Sequence, residues 1–239
     1  MNQSLSLNLY ATPPHECSYL PDRQATTVFI DPYFPKDKTL HGTLLQRGFR
    51  RSGDYVYRPI CKHCQACIPV RIPVHTFKPR RSQKRVWKKN QDLTVIETSC
   101  DFQQIHFDLY RRYLASRHKG GNMENPTPQD YMDFLTSPWS ETVFFEFRLQ
   151  QQLLGIAVVD PTEDALSAVY TFFDPDYSER SLGVYAILWE IELAKQLDLD
   201  WLYLGFWIGE CRKMAYKIDY QPLEFYDGEE WHLFSREDG

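Results

Sequence analysis

The stretch TVFFEFRLQQQLLGIAVVDPTEDALSAVYTFFD runs from Thr142 to Asp174 and contains three apolar runs of strand length. They are TVFFEFRL, LLGIAVVD and LSAVYTFFD, separated by short polar turns, and this pattern predicts an antiparallel meander. Asp174-Pro175 closes the third run, and the period then changes. In SLGVYAILWEIELAKQL (Ser181–Leu197), Val184, Ile187, Leu188, Ile191 and Ala194 fall on one apolar helical face. DWLYLGFWI reads as a further strand, GECRKMAYK as a short helix, and PLEFY with EEWHLF as two closing strands. The order predicts an α+β domain from about Thr98 onward.

Upstream, FQQIHFDLYRRYLASRH (Phe102–His118) spaces Phe102, Ile105, Leu109, Tyr113 and Leu114 as a helix, and Pro126-Thr127-Pro128 starts a second one. The first hundred residues are broken by Pro13-Pro14, Pro21, Pro32, Pro35, Gly42, Gly48, Gly53 and Pro59. Within them, LLQRGFRRSGDYVYRP predicts a short helix, a stop at Gly48 and a strand ending at Tyr57. The expected organisation is a small, turn-rich, basic and cysteine-containing domain over 1–100, followed by the α+β domain over 101–239.

With 239 residues, 43% of them hydrophobic and 15% aromatic, the chain can bury a sizeable core, which excludes disorder. No run approaches the roughly 18 apolar residues of a membrane-spanning helix. The first twenty residues lack the basic start and apolar run of a secretory signal, so a cytoplasmic protein is expected. Its six cysteines should then be thiols or metal ligands. Neither a Ser/His/Asp arrangement nor an H-E-x-x-H is visible, so nucleophilic hydrolase chemistry has no seat. The sequence does not set an oligomeric state.

Three segments could carry chemistry. KPRRSQKRVWKKN (Lys78–Asn90) holds seven basic residues and no acid in a chain of net charge −5. As a helix it stacks Arg81, Lys84, Arg85 and Lys88 on one face, a phosphate-tracking stripe or, more plainly, a solvated face. A smaller basic cluster, Arg212, Lys213 and Lys217, is interleaved with Trp207, Met214 and Tyr216, as stacked single-stranded nucleotides would require. The strand–turn–helix YTFFDPDYSERSLGVY (Tyr170–Tyr185) aims a helix N-terminus at whatever docks there, unless Ser181 merely caps the helix. In RPICKHCQACIPVRIP (Arg58–Pro73), Cys61, Cys64 and Cys67 at two-residue gaps lack a fourth ligand nearby, and Cys17 is the candidate from a distance. Buried, inert thiols are the competing explanation.

Four blocks, in order, resemble the arginyl-tRNA–protein transferase family in its short bacterial form: CSYLPDRQATTVF, YRPICKHCQACIPVRIPVHTFKPRRSQKR, RSLGVYAILWEI and YLGFWIGECRKMAYKIDYQPLE. The resemblance implies an N-acetyltransferase-like (GNAT) mixed sheet with helices in the second half. It also implies transfer of leucine from leucyl-tRNA to proteins that begin with Asp or Glu, marking them for degradation. Eukaryotic relatives carry a C-x2-C and a Cys-Cys pair that hold an iron–sulfur cluster or metal. Here Leu20 stands in the second position after Cys17, and the later pair reads Ala66-Cys67. No cofactor is therefore required, and a structural zinc or iron–sulfur cluster on Cys17, Cys61, Cys64 and Cys67 is the alternative.

On that chemistry, an activated ester meets an α-amine of pKa about 8, and catalysis is mainly positioning and oxyanion stabilisation. Tyr170, Ser181, Leu182, Gly183 and Tyr185 are expected at the aminoacyl donor, with Tyr203, Trp207, Lys213 and Lys217 lining its far side. Arg81, Lys84, Arg85, Lys88 and Lys89 would follow tRNA phosphates. Arg71, Arg80 and Arg81 are candidates for the acceptor's carboxylate. Asp174 and Glu179 are the nearest acids for a general base, although a turn role suits them better. Rival readings are arginyl transfer, a non-catalytic tRNA-binding module, and an acetyltransferase, which lacks its glycine-rich pyrophosphate loop here.

Overall fold

The computed structural model describes residues 7–117 and 125–234. The meander forms as expected: β9 (Val143–Leu149), β10 (Gln152–Pro161) and β11 (Ala165–Phe173) pair antiparallel. α5 (Leu182–Gln196) then crosses over, and β12 (Trp201–Trp207) returns parallel to β11. The expected helix Phe102–His118 is α3 (Gln104–Arg117), and its predicted last residue, His118, lies outside the described residues. α4 spans Pro128–Leu135, with Thr127 accepting from the Asp130 N–H as its cap.

Earlier elements are β1 (Leu9–Ala11), a two-residue ribbon of β2 (His15–Glu16) and β3 (Gln24–Ala25), β4 (Thr27–Ile30), α1 (Lys38–Gln46), β5 (Arg50–Ser52) and β6 (Tyr55–Pro59). They are followed by β7 (Ile68–Pro73), α2 (Arg81–Lys89) and β8 (Leu93–Thr98), and the chain closes with β13 (Glu224–Tyr226) and β14 (Trp231–Leu233). The segment GECRKMAYK is mostly turns, with a short 3-10 helix only at Ala215–Asp219, because it folds back under Trp207, whose indole N–H donates to the Ala215 carbonyl at 3.2 Å.

An eight-stranded mixed sheet runs β14-β13-β7-β12-β11-β10-β9-β8, beside a four-stranded sheet β1-β4-β6-β5. The expected boundary near residue 100 does not separate one sheet from the other: β7 and β8, from the first hundred residues, are strands of the larger one. β10 is buried from Leu153 to Asp160, which explains its unbroken apolar run: it is covered on both faces. On one face α5 packs Leu182, Ala186, Ile187, Ile191 and Ala194 against Ile72, Leu154, Ala157 and Leu202. On the other, Tyr110, Leu114, Tyr131 and Leu135 of α3 and α4 meet Phe144, Ile156, Val158 and Phe172.

The small sheet is locked to this body by a buried ion pair. The Arg51 guanidinium donates Nε to Asp160 at 2.5 Å and its other nitrogens to Asp160, Thr142 and the Gly53 and Leu135 carbonyls. A charge so deeply buried is tolerable only when fully bonded in this way. Because side chains alternate along a strand, fixing Arg51 in the core sends its neighbour Arg50 the other way.

Candidate active site

The parallel pairing of β11 and β12 lasts three residues, Ala165–Ser167 against Trp201–Tyr203. Both strands run on, and both are irregular where they diverge: β10–β11 shifts register at Val158/Val159, and β12–β7 at Tyr203/Gly205. Between them lies a void of only about 10 Å³, bordered by Arg50, Ser167, Tyr203, Gly205 and Phe206. Arg50 enters this gap from β5, donating Nη2 to the Val169 carbonyl at 2.9 Å. Gly205, at φ +71°, makes room for it: a Cβ there would sit 3.1 Å from Arg50 Cδ and 3.3 Å from Nε.

Several phenols and a buried lysine surround Arg50, and this neighbourhood is the recess. Tyr216 keeps 45% of its surface exposed, while desolvation raises its hydroxyl to about 12. Its hydroxyl also feels Glu190, Tyr113 and Arg50. Burial pushes the Tyr19 hydroxyl up to about 12, with Tyr57 adding to the rise and Arg50 opposing it. Tyr170, buried at its hydroxyl and without a partner there, is likewise raised by burial and opposed by Arg50.

Two ionisable residues lie nearby, Lys217 close to Arg50 and Glu190 close to Tyr216. Lys217, 4% exposed, donates Nζ to the Phe206 carbonyl at 2.5 Å. Desolvation, reinforced by Arg50, holds its ammonium well below the ordinary lysine range. Glu190 of α5 is 0% exposed, neither carboxylate oxygen has a hydrogen-bond partner, and desolvation raises it to about 8. The recess thus gathers a guanidinium, a lysine biased toward the neutral amine, a protonated carboxyl and several phenols.

Residues 15–85 match the family described as Arginine-tRNA-protein transferase, N terminus, and residues 105–227 match Arginine-tRNA-protein transferase, C terminus. The chain belongs to this family. Among similar proteins, the aspartate/glutamate leucyltransferase of Nitrosococcus oceani is 51% identical over 98% of both chains. That of Hahella chejuensis is 52% identical over 97% of this chain and 99% of its own, and that of Pseudomonas aeruginosa 50% over 97% and 98%. Among solved structures, FemX superposes with a TM-score of 0.49 at 9% identity, over 87% of this chain and 81% of that one. L-PGS from Bacillus licheniformis gives 0.48 at 9%, over 61% and 48%.

For a member of the arginine-tRNA-protein transferase family, the sequence-predicted residues divide into those in the recess and those elsewhere. Tyr170 and Lys217 lie close to Arg50. Ser181 takes a left-handed conformation (φ 53°) without a side-chain cap, Leu182 is core, and Gly183 lies against the Phe173 ring. Tyr185 turns to the other side, packed on Trp87 and Phe147. Tyr203 borders the void, but its hydroxyl accepts from Arg71 at 3.1 Å, and Lys213 is exposed.

The acceptor-reading arginines are placed elsewhere too. Arg71 is 9% exposed, ion-paired to Glu224 at 2.8 Å and stacked on Trp201 and Trp231. Its guanidinium is committed. Arg80 is paired with Asp219 at 2.6 Å, and Arg81 points to solvent on α2. Asp174 accepts from Arg112 and from the Asp176 N–H, and the Glu179 carbonyl accepts from Lys89, so both serve the turn into α5. Arg81, Lys84, Arg85 and Lys88 remain an exposed stripe, with Lys89 tied to that same turn. Among the described residues no helix is long and apolar enough to cross a membrane.

The cysteines gather more closely than their spacing announced. The Cys67 thiol is raised to about 12 by burial and by Cys17, Cys61, Cys64 and Cys211, the last a residue that spacing alone did not link to the others. Cys64 is lowered, by the Ala66 backbone and by Arg23, whose guanidinium lies 3.3 Å from its sulfur. Cys61 donates to the Thr26 carbonyl. Among the described residues, no three His, Cys, Asp or Glu side chains are disposed to hold a metal ion.

Three recess residues escaped the sequence reading. Arg50 was hidden beside Arg51, and Glu190 beside Glu192, although Glu190 alone falls between Ala186 and Ala194 on the buried face of α5. Tyr216 was seen only as a member of a basic cluster.

Proposed function

We propose that the recess holds the reacting ester and amine during leucyl transfer, from leucyl-tRNA to the α-amine of proteins whose first residue is Asp or Glu. The observation that carries the activity is identity of about half of all residues, over nearly the full length of both chains, with aspartate/glutamate leucyltransferases. The chain is an aminoacyltransferase of that kind. The finer fold assignment is N-acetyltransferase-like, supported by a meander, a crossover helix and a parallel strand that diverges from it.

The ester is already activated, so the protein's work is to align it and take one proton. Lys217 suits the proton step, because as a neutral amine it has a lone pair, and the Phe206 carbonyl orients its Nζ. The attacking α-ammonium gives one proton to Lys217, the amine bonds to the ester carbonyl carbon, and as the ester C–O bond breaks a second proton passes from that nitrogen to the ribose oxygen, which leaves as the tRNA hydroxyl. The exposed stripe on α2 faces the tRNA, adjoining the turn into α5 through Lys89 and through Asn90, which donates to the Arg180 carbonyl.

Purified protein is mixed with peptides beginning Asp, Glu or Ala and supplied separately with leucyl-tRNA or arginyl-tRNA, and the products are weighed. Leucine on the acidic peptides alone is expected. Arginine addition would move the donor assignment, and tRNA binding without any addition would leave a binding module.

A further inference from the structure

The recess contains a cation without an anion. Arg51, Arg71, Arg80, Arg112, Arg148 and Arg180 each pair with a carboxylate, but among the described residues none lies within ion-pair reach of Arg50. Its one described hydrogen bond uses Nη2, on a neutral carbonyl. The fork has donors to spare, and its surroundings are phenols and a buried lysine whose ammonium form it disfavours. A partly buried guanidinium in this setting lacks the carboxylate that normally accompanies it.

Resting on the leucyl-transfer reading, we propose that Arg50 is the specificity-determining residue of the acceptor. It pairs through its free nitrogens with the side-chain carboxylate of the first Asp or Glu. The geometry favours this position over the arginines expected from sequence, which are either already paired or away from the recess. It places the carboxylate beside Lys217, so the adjacent α-amine lies within reach of the group that takes its proton. The backbone protects the arrangement: a bulge presents the Val169 carbonyl, and a glycine at positive φ leaves the space in β12.

The test compares full-length wild type, Arg50→Gln and Arg50→Lys with leucyl-tRNA and peptides that differ only in a first residue of Asp or Asn. Removing a charge-assisted bidentate pair should lower kcat/KM for the Asp peptide about 50-fold in Arg50→Gln, while the Asn peptide changes little. Arg50→Lys, which keeps charge but not the fork, should fall between. Equal losses on both peptides would make Arg50 a structural residue, and an intact Asp preference would assign recognition elsewhere; either overturns the proposal.

Because Arg50→Gln could unfold, wild type is also labelled with phenylglyoxal and mapped by mass. Protection of Arg50 by the Asp peptide but not the Asn peptide is expected, and equal protection refutes it. If wild type adds leucine to no acidic peptide, the leucyl-transfer reading itself fails and takes this assignment with it. Success with the Asp peptide together with an unaltered Arg50→Gln preference sinks the assignment alone.

Discussion

Glu190 offers the most direct test of the recess, because its environment makes a signed and sizeable claim. Burial raises its folded-state pKa from 4.5 to about 8, with no partner to offset the desolvation. At about 1.4 kcal/mol per unit, ionising it inside the fold costs on the order of 5 kcal/mol. The folded value lies above the unfolded one, so below pH 4.5 both states hold the proton and the group has no effect. Between about pH 4.5 and 8 the unfolded chain releases the proton and the folded one retains it. Wild type therefore loses about 1.4 kcal/mol per pH unit from this residue as pH rises. Above about pH 8 both states are ionised and the loss stops growing.

Glu190→Gln has the same shape and no titration. Its unpaired amide should lower stability by about 1–3 kcal/mol at every pH, a constant offset. Its advantage relative to wild type should then grow by about 3 kcal/mol between pH 4.5 and 7. Urea unfolding at half-unit steps from pH 5 to 8.5 measures the difference, with equal m-values as the control. A difference that stays flat across that window refutes the claim that Glu190 is buried, unpaired and protonated.

Arg51→Met should cost about 3–5 kcal/mol by denaturant unfolding, because Asp160 is left buried and uncompensated. Gly205→Ala should lower stability by about 1–2 kcal/mol for the left-handed backbone alone, and should reduce transfer to acidic peptides by displacing Arg50. Replacing Lys84, Arg85 and Lys88 together by alanine should weaken tRNA binding at low salt and flatten the slope of log K against log salt by about 2–3, read by filter binding. Unchanged slope would remove the stripe from the tRNA interface.

Much of the fold was legible because it rests on local periodicity. Each strand of the meander, α3 and α5 announces itself within seven to fifteen residues. What was not legible is non-local. That β7 inserts between β12 and β13 depends on register across some 130 residues, and nothing in IPVRIP itself states its neighbours. Arg71 looked free because Glu224, its partner, is 153 positions away. The same limit hid the site. Arg50 and Arg51 are chemically identical neighbours, and only the partner across the fold decides that one is locked on Asp160 and the other faces the recess. Lys217 read from sequence as a nucleotide-facing cation, whereas its burial holds the ammonium well below the ordinary lysine range.

Acceptor choice and proton transfer are joined by this arrangement. In the resting recess Arg50 disfavours the Lys217 ammonium, which keeps the amine free to accept. A carboxylate seated on Arg50 cancels that repulsion and adds an attraction of its own, so protonating Lys217 becomes easier only once an acidic residue is bound. An Asn or Gln in the same place supplies hydrogen bonds but no charge, and leaves Lys217 as poor a base as before. The preference for acidic residues should therefore exceed what binding alone provides: kcat, and not only KM, should separate Asp from Asn.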